Sequence, residues 1–101
     1  MYKPLHKDIA IGPSRLHGLG ILTKVEIEKD TNLGATHFPN NDQLHGYIRT
    51  PTGGFLNHSN TPNCRKEEDG SGILYLITNQ DIKAGEELTI KYTLYDIPEG
   101  D

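Results

Sequence analysis

Sulfur-pairing chemistry is nearly absent from this 101-residue sequence, which has a single cysteine, Cys64. That excludes an internal disulfide framework and a multi-cysteine zinc site, and it fits a reducing, intracellular setting, cytoplasmic or nuclear. No apolar run approaches the length needed to cross a bilayer, so no membrane association is expected. The opening residues Met1 to His6 lack the long apolar stretch of a secretory signal. Positive charge is also scarce: ten Lys and Arg stand against fourteen Asp and Glu, a formal net charge of −4. A surface of that sign does not neutralise phosphates, so direct nucleic-acid binding is not expected. Nor is there a Walker loop, a nucleophile triad legible from residue order, or a histidine spacing that suggests a metal site; none is expected. No internal repeat or low-complexity tract stands out.

What remains fits one small domain over residues 1–101, with about a third of the residues (34%) apolar. Short β segments separated by turn chemistry dominate. Strands are expected near residues 8–11, 20–23 and 32–37, with a turn at Lys29-Asp30-Thr31. A hairpin is expected where residues 63–68 lead into Asp69-Gly70-Ser71-Gly72 and residues 73–78 lead out, since Asp-Gly suits a tight turn. The nearly continuous apolar run from Ile73 to Ile77 reads as a strand buried on both faces. After a turn at residues 81–86, Leu88, Ile90 and Tyr92 alternate with Glu87, Thr89 and Lys91, so Tyr92 is expected on a buried strand face. Helical character is confined to a single turn near residues 42–47. The fold expected is mostly β, built of short, irregular strands.

Two segments carry the chemistry. Asn57-His58-Ser59-Asn60-Thr61-Pro62-Asn63 follows a short apolar strand at Phe55 and Leu56 and crowds polar, turn-forming residues together. Asn57 can bridge backbone strands, Ser59 can close a local turn, and Pro62 keeps Thr61 out of the helical region. Some two dozen residues on comes Gly85-Glu86-Glu87-Leu88-Thr89-Ile90-Lys91-Tyr92. A third, weaker element is His17-Gly18-Leu19-Gly20, where two glycines let the backbone turn and approach a ligand closely. It lacks the third glycine and following helix of a dinucleotide fingerprint. Read as residues alone, the histidine and asparagine could serve only to satisfy buried backbone, and Tyr92 could be ordinary core.

The ordered pair of segments resembles the two signature motifs of the SET-domain family, protein-lysine methyltransferases, and the likeness runs from about Ser14 to Tyr95. It implies a β-clip SET fold of small sheets with a knot-like C-terminal threading. It implies S-adenosyl-L-methionine as cofactor and methyl transfer to the ε-amine of a protein lysine, on a histone or another basic protein or peptide. By that resemblance His17, Gly18 and Leu19 hold the methionine end of the cofactor, Asn57 its amino-acid part and His58 its adenine. Tyr92 touches the cofactor and is the catalytic residue, while Tyr47 and Tyr95 wall the lysine channel. Residues 38–53 are brief and polar where many relatives carry a longer insert, and cysteine-rich zinc-binding flanks are absent. The chain in this respect resembles the compact SET proteins of viruses and bacteria, which for a viral protein would place it in the host cell. A catalytically silent SET-like interaction module, a different β-clip protein, and a homodimer all stay open.

Overall fold

The computed structural model describes residues 5–40 and 46–92. Among the described residues the strands form two four-stranded sheets. In the first, β1 (Ile9–Pro13), β2 (Leu19–Thr23), β8 (Glu87–Ile90) and β5 (Asn57–His58) lie side by side in that order. In the second the order is β4 (Tyr47–Arg49), β3 (Asn32–Pro39), β7 (Leu74–Thr78) and β6 (Cys64–Glu68). All pairings are antiparallel except β5 with β8, where Asn57 faces Thr89 and His58 faces Ile90 in parallel. Ile9, Ile21, Leu33, Leu56, Leu76, Leu88 and Ile90 are buried and form one core together with Ile27, Cys64 and Ile82. Mostly β architecture is therefore observed, as the strand-rich sequence pattern predicts.

Two strand–turn–strand units hold the sheets together. One runs from β2 to β3 and the other from β7 to β8, so each starts in one sheet and ends in the other. They are matched at constant spacing: Thr23 with Thr78, Ile27 with Ile82, Asp30 with Gly85, Leu33 with Leu88. Their hydrogen bonds are matched as well. Thr23 N–H donates to the Glu86 carbonyl (3.0 Å) and Thr78 N–H to the Thr31 carbonyl (3.1 Å). Gly85 N–H donates to Thr23 O (2.8 Å), Asp30 N–H to Thr78 O (2.9 Å), and Ile27 and Ile82 exchange bonds in both directions (2.8 Å each). At the matched turn position φ is +64° for Asp30 and +88° for Gly85, a region that glycine enters freely and aspartate tolerates better than most residues. The repeat that the sequence conceals is thus explicit in the backbone.

Several expectations are corrected. Phe55 ends a short helix, α1 (Pro51–Phe55), and Leu56 follows it in extended conformation, so no strand precedes Asn57. The cause is local: Thr50 caps the helix by accepting from Gly53 N–H, and Pro51 supplies the first-turn φ. Residues 42–45 of the expected helical turn lie outside the described residues, and Tyr47 begins β4. The β6–β7 hairpin has its predicted place, but Glu68 pairs with Leu74, so five residues (69–73) connect the strands, with Gly70 and Gly72 both at positive φ. Strand β7 is not doubly buried; Leu74, Leu76 and Thr78 are buried while Tyr75 and Ile77 are half-buried. The segment after Tyr92, which would complete the expected threading, lies outside the described residues.

Helix α1 sits tightly on β3. A Cβ at Gly53 would overlap the Thr36 carbonyl, whereas one at Gly54 would meet nothing within 4 Å. Gly53→Ala should therefore cost about 1–3 kcal/mol in urea denaturation, while Gly54→Ala should be neutral or stabilise by up to about 1 kcal/mol. Equal effects would refute the close approach.

Cys64 yields a second expectation. Burial pushes its thiol from 9.0 up to about 12, against smaller opposing effects from the Thr89 main chain and Arg65. The folded state binds that proton more tightly, so this contribution to stability is complete below about pH 9 and is lost as pH climbs towards 12. Urea midpoints between about pH 8 and about 10.5 should accordingly fall faster for the native chain than for Cys64→Ala; parallel decline would show that the thiol plays no part.

Candidate functional site

Sheet register decides where the site can form. Because β2 runs antiparallel to β8 and β5 runs parallel to it, the start of β2 and the ends of β5 and β8 lie at the same end of the sheet. The loop entering β2 and the residues leaving β8 therefore meet there, and because β5 is only two residues long, the chain on either side of it lies close by. They line a cleft of about 500 Å³ with His17, Gly18, Leu19, Phe55, Leu56, Asn57 and Tyr92, joined by Arg49 and the two glycines of α1. A larger groove of about 650 Å³ runs between Pro13, Arg15, Leu22 and the turn at residues 83–87. It has volume without a comparable convergence of buried polar groups, so the smaller cleft is the better candidate.

Asn57 is buried (6% exposed) and organises one wall. Its Nδ2 lies 3.0 Å from Ser14 Oγ, 3.2 Å from the His17 carbonyl, 3.1 Å from the Leu19 carbonyl and 2.9 Å from Glu87 Oε2. Ser14 Oγ in turn lies 2.8 Å from both oxygens of the Glu87 carboxylate and accepts from the N–H groups of Leu16 and His17. One amide and one carboxylate thus fix the course of the loop from Ser14 to Leu19. Gly18 takes φ +48° at its bend. Gly20 leaves room for the pair, since a Cβ there would run into Glu87 Oε2 and lie 3.0 Å from Asn57 Nδ2.

Asn63 holds the same segment from its other end. Its amide donates to the Glu87 carbonyl (2.9 Å) and accepts from Thr89 N–H (2.9 Å), which reproduces a strand-ladder exchange with a side chain. Ser59 closes the expected local turn by accepting from Thr61 N–H (3.0 Å).

Tyr92 stands beyond the end of β8 and is 39% exposed, so it is not on a buried strand face. Its hydroxyl donates to the Leu56 carbonyl at 2.9 Å, and its main-chain N–H donates to His58 Nδ1 at 2.9 Å. The two rings lie 5.2 Å apart at a 57° tilt.

Of the residues singled out in the sequence, His17, Gly18, Leu19, Asn57 and Tyr92 come together around the cleft. His58 is exposed and does not line it; its imidazole contacts Tyr92 and Asn60 instead. Tyr47 does not line it either, and packs edge-on against buried His37 with centroids 6.0 Å apart. Tyr95 lies outside the described residues. Ser14 and Glu87 gain a role that the sequence reading gave them no part in. Strand alternation already set Glu87 and Thr89 apart from the core-facing Leu88 and Ile90, but only the β2–β8 pairing shows that Ser14 covers Glu87. Among the described residues no group of three or more His, Cys, Asp or Glu could hold a metal ion.

The profile of the SET domain matches residues 36–93. A SET and MYND domain-containing protein of Dictyostelium discoideum is 38% identical over 58 residues, which are 57% of this chain. The chain spans 15% of that relative's length. A crystal structure of a candidate histone methyltransferase from Plasmodium falciparum superimposes with a TM-score of 0.71, covering 88% of this chain and 96% of the other. At 22% identity that likeness speaks for the fold.

The clamp makes a definite prediction. Gly20→Ala should lose about 1–3 kcal/mol of stability and release the Ser14–Leu19 loop, read as faster amide exchange at Leu16 and His17. An alanine variant with native stability and native exchange would show that the packing around Asn57 and Glu87 is loose.

Proposed function

Because the chain belongs to the SET-domain family, we propose that it transfers a methyl group from S-adenosyl-L-methionine to the ε-amine of a lysine in a protein or peptide. The observation that carries this reading is the meeting of the Ser14–Leu19 loop, Asn57 and Tyr92, three separate stretches of sequence, around one cleft. The lining suits the cofactor. Gly18 and Gly54 expose main chain, Leu19 and Phe55 give apolar walls, and the phenol ring and the Leu56 carbonyl offer electron-rich surface to a cation. When bound, the cofactor supplies an electrophilic methyl on a sulfonium.

The chain's own residues do the rest. The main chain of His17, Gly18 and Leu19, fixed by the Asn57–Ser14–Glu87 clamp, would hold the methionine end, with Asn57 beside it. Tyr92 gives its hydroxyl proton to Leu56 O, so its oxygen serves as an acceptor towards the cleft. An acceptor there orients an incoming neutral amine. The neutral form matters, because deprotonating an ordinary lysine at pH 7 costs about 4–5 kcal/mol. Alignment supplies much of the rate in an in-line displacement, and the paired restraints on Tyr92 supply alignment.

A basic protein such as a histone is the substrate class we favour, since the net charge of −4 favours encounter with cationic partners. The alternative is an interaction module of the same fold without turnover. Calorimetric titration with S-adenosyl-L-methionine should give saturable binding, and labelled methyl should pass to lysine in a mixture of basic proteins. Tyr92→Phe should cut turnover by about 10²–10³-fold while cofactor affinity stays within a few-fold. Binding without transfer would favour the silent module, and absence of binding would overturn the proposal.

A further inference from the structure

The hydrogen bonds around His58 assign its side chain a task separate from any contact with a ligand. Strand β8 ends at Ile90, and the last ladder pair joins Ile90 to His58. Ser59 N–H still donates to the Ile90 carbonyl (2.9 Å), after which the chain turns away through Ser59, Thr61 and Pro62. The next outward N–H of the departing chain is that of Tyr92, and it is met by a side chain: the imidazole of His58 accepts it at Nδ1, at 2.9 Å. A nitrogen that accepts an amide proton carries none itself, so the proton of the neutral ring is on Nε2. That N–H faces Asn60 Oδ1 at 3.1 Å, and Asn60 thereby fixes the tautomer that the clasp needs.

At its far end Tyr92 is tied to the same short segment, through its hydroxyl and Leu56 O. Five consecutive residues, 56–60, thus grip one tyrosine at backbone and at tip. The grip matters because Tyr92 has left the sheet and is 39% exposed, so core packing alone does not hold it.

Resting on the methyl-transfer reading for its consequence, we infer that His58 is a positioning residue: its Nδ1 anchors the Tyr92 main chain so that the phenol stands over the cleft, and Asn60 sets the tautomer. Asparagine is the discriminating replacement, because its Oδ1 lies where histidine has Nδ1 and can accept the same N–H.

The test uses the whole chain and two readouts. Amide exchange at Tyr92 should accelerate in His58→Ala and return towards the native rate in His58→Asn. In turnover assays His58→Ala should lower kcat by roughly ten- to hundredfold, with cofactor affinity by calorimetry within about threefold, and His58→Asn should recover most of the loss. Unchanged Tyr92 exchange in folded His58→Ala would overturn the clasp. So would an asparagine variant no better than alanine, or a kcat/KM loss carried wholly by weaker cofactor binding. A native chain without turnover would sink the methyl-transfer reading instead, and the clasp would still stand or fall on the exchange rates.

Discussion

A primary amide has two N–H bonds, and at Asn57 they point into a space with four oxygen acceptors within 3.2 Å. Buried where it is, that amide has to stay bonded, because leaving a buried donor unsatisfied costs about 1–3 kcal/mol. It satisfies itself only if the loop entering β2 bends so that the carbonyls of His17 and Leu19 face inward, and if Glu87 comes up from β8. The shape of one cleft wall therefore follows from the needs of a single side chain. Ser14 extends the same logic: it stands 2.8 Å from each oxygen of Glu87 while receiving two main-chain N–H groups of the loop. Gly20 is the steric condition for all of it, since any Cβ there would occupy the space in which amide and carboxylate meet.

Such a network needs a rigid frame, and the frame is the doubled unit. Each strand–turn–strand segment passes from one sheet to the other, and each uses its turn to bond the other's strand. Ile27 and Ile82 sit at the centre of the arrangement, exchanging main-chain bonds with their side chains in the core. Strand β8 belongs to this frame through Leu88 and Ile90 and to the site through Glu87 and Thr89. Strict alternation thus lets four residues serve stability and function on opposite faces.

Much of this was legible in the sequence, and what was not has identifiable causes. Alternation placed β8, a run of apolar residues placed β7 although only one of its faces is fully buried, and the Asp-Gly turn placed β6 beside it. The motif residues were legible because Asn, Ser and Pro at close spacing imply side-chain-to-backbone bonding. Helix α1 was missed because its signal is one turn long, carried by Thr50 and Pro51 and then masked by apolar Phe55 and Leu56. The repeat was missed because its identities are few; the equivalence of Asp30 and Gly85 is a shared backbone dihedral, not a shared side chain. Glu87 was missed for a third reason: its partner Ser14 is 73 positions away, and nothing local to either residue announces the other.

Tyr92 shows why a site forms where regular structure stops. Had β8 continued, alternation would have carried Tyr92 onto the face of Leu88 and Ile90, whose side chains are 0% and 1% exposed in the core. A phenol there would pack well and reach no ligand. Ending the ladder at Ile90 frees the next residues to leave the sheet, at the cost of main-chain bonds that side chains then have to replace. The same exchange recurs along the cleft: Asn57 bonds the carbonyls of His17 and Leu19 where the loop enters β2, Asn63 stands in for a ladder residue beside Thr89, and Thr50 caps the first turn of α1. Polar side chains at the ends of strands are therefore the structural material of this site, and their density in the stretch from Asn57 to Asn63 is the physical reason that so short a segment marks it.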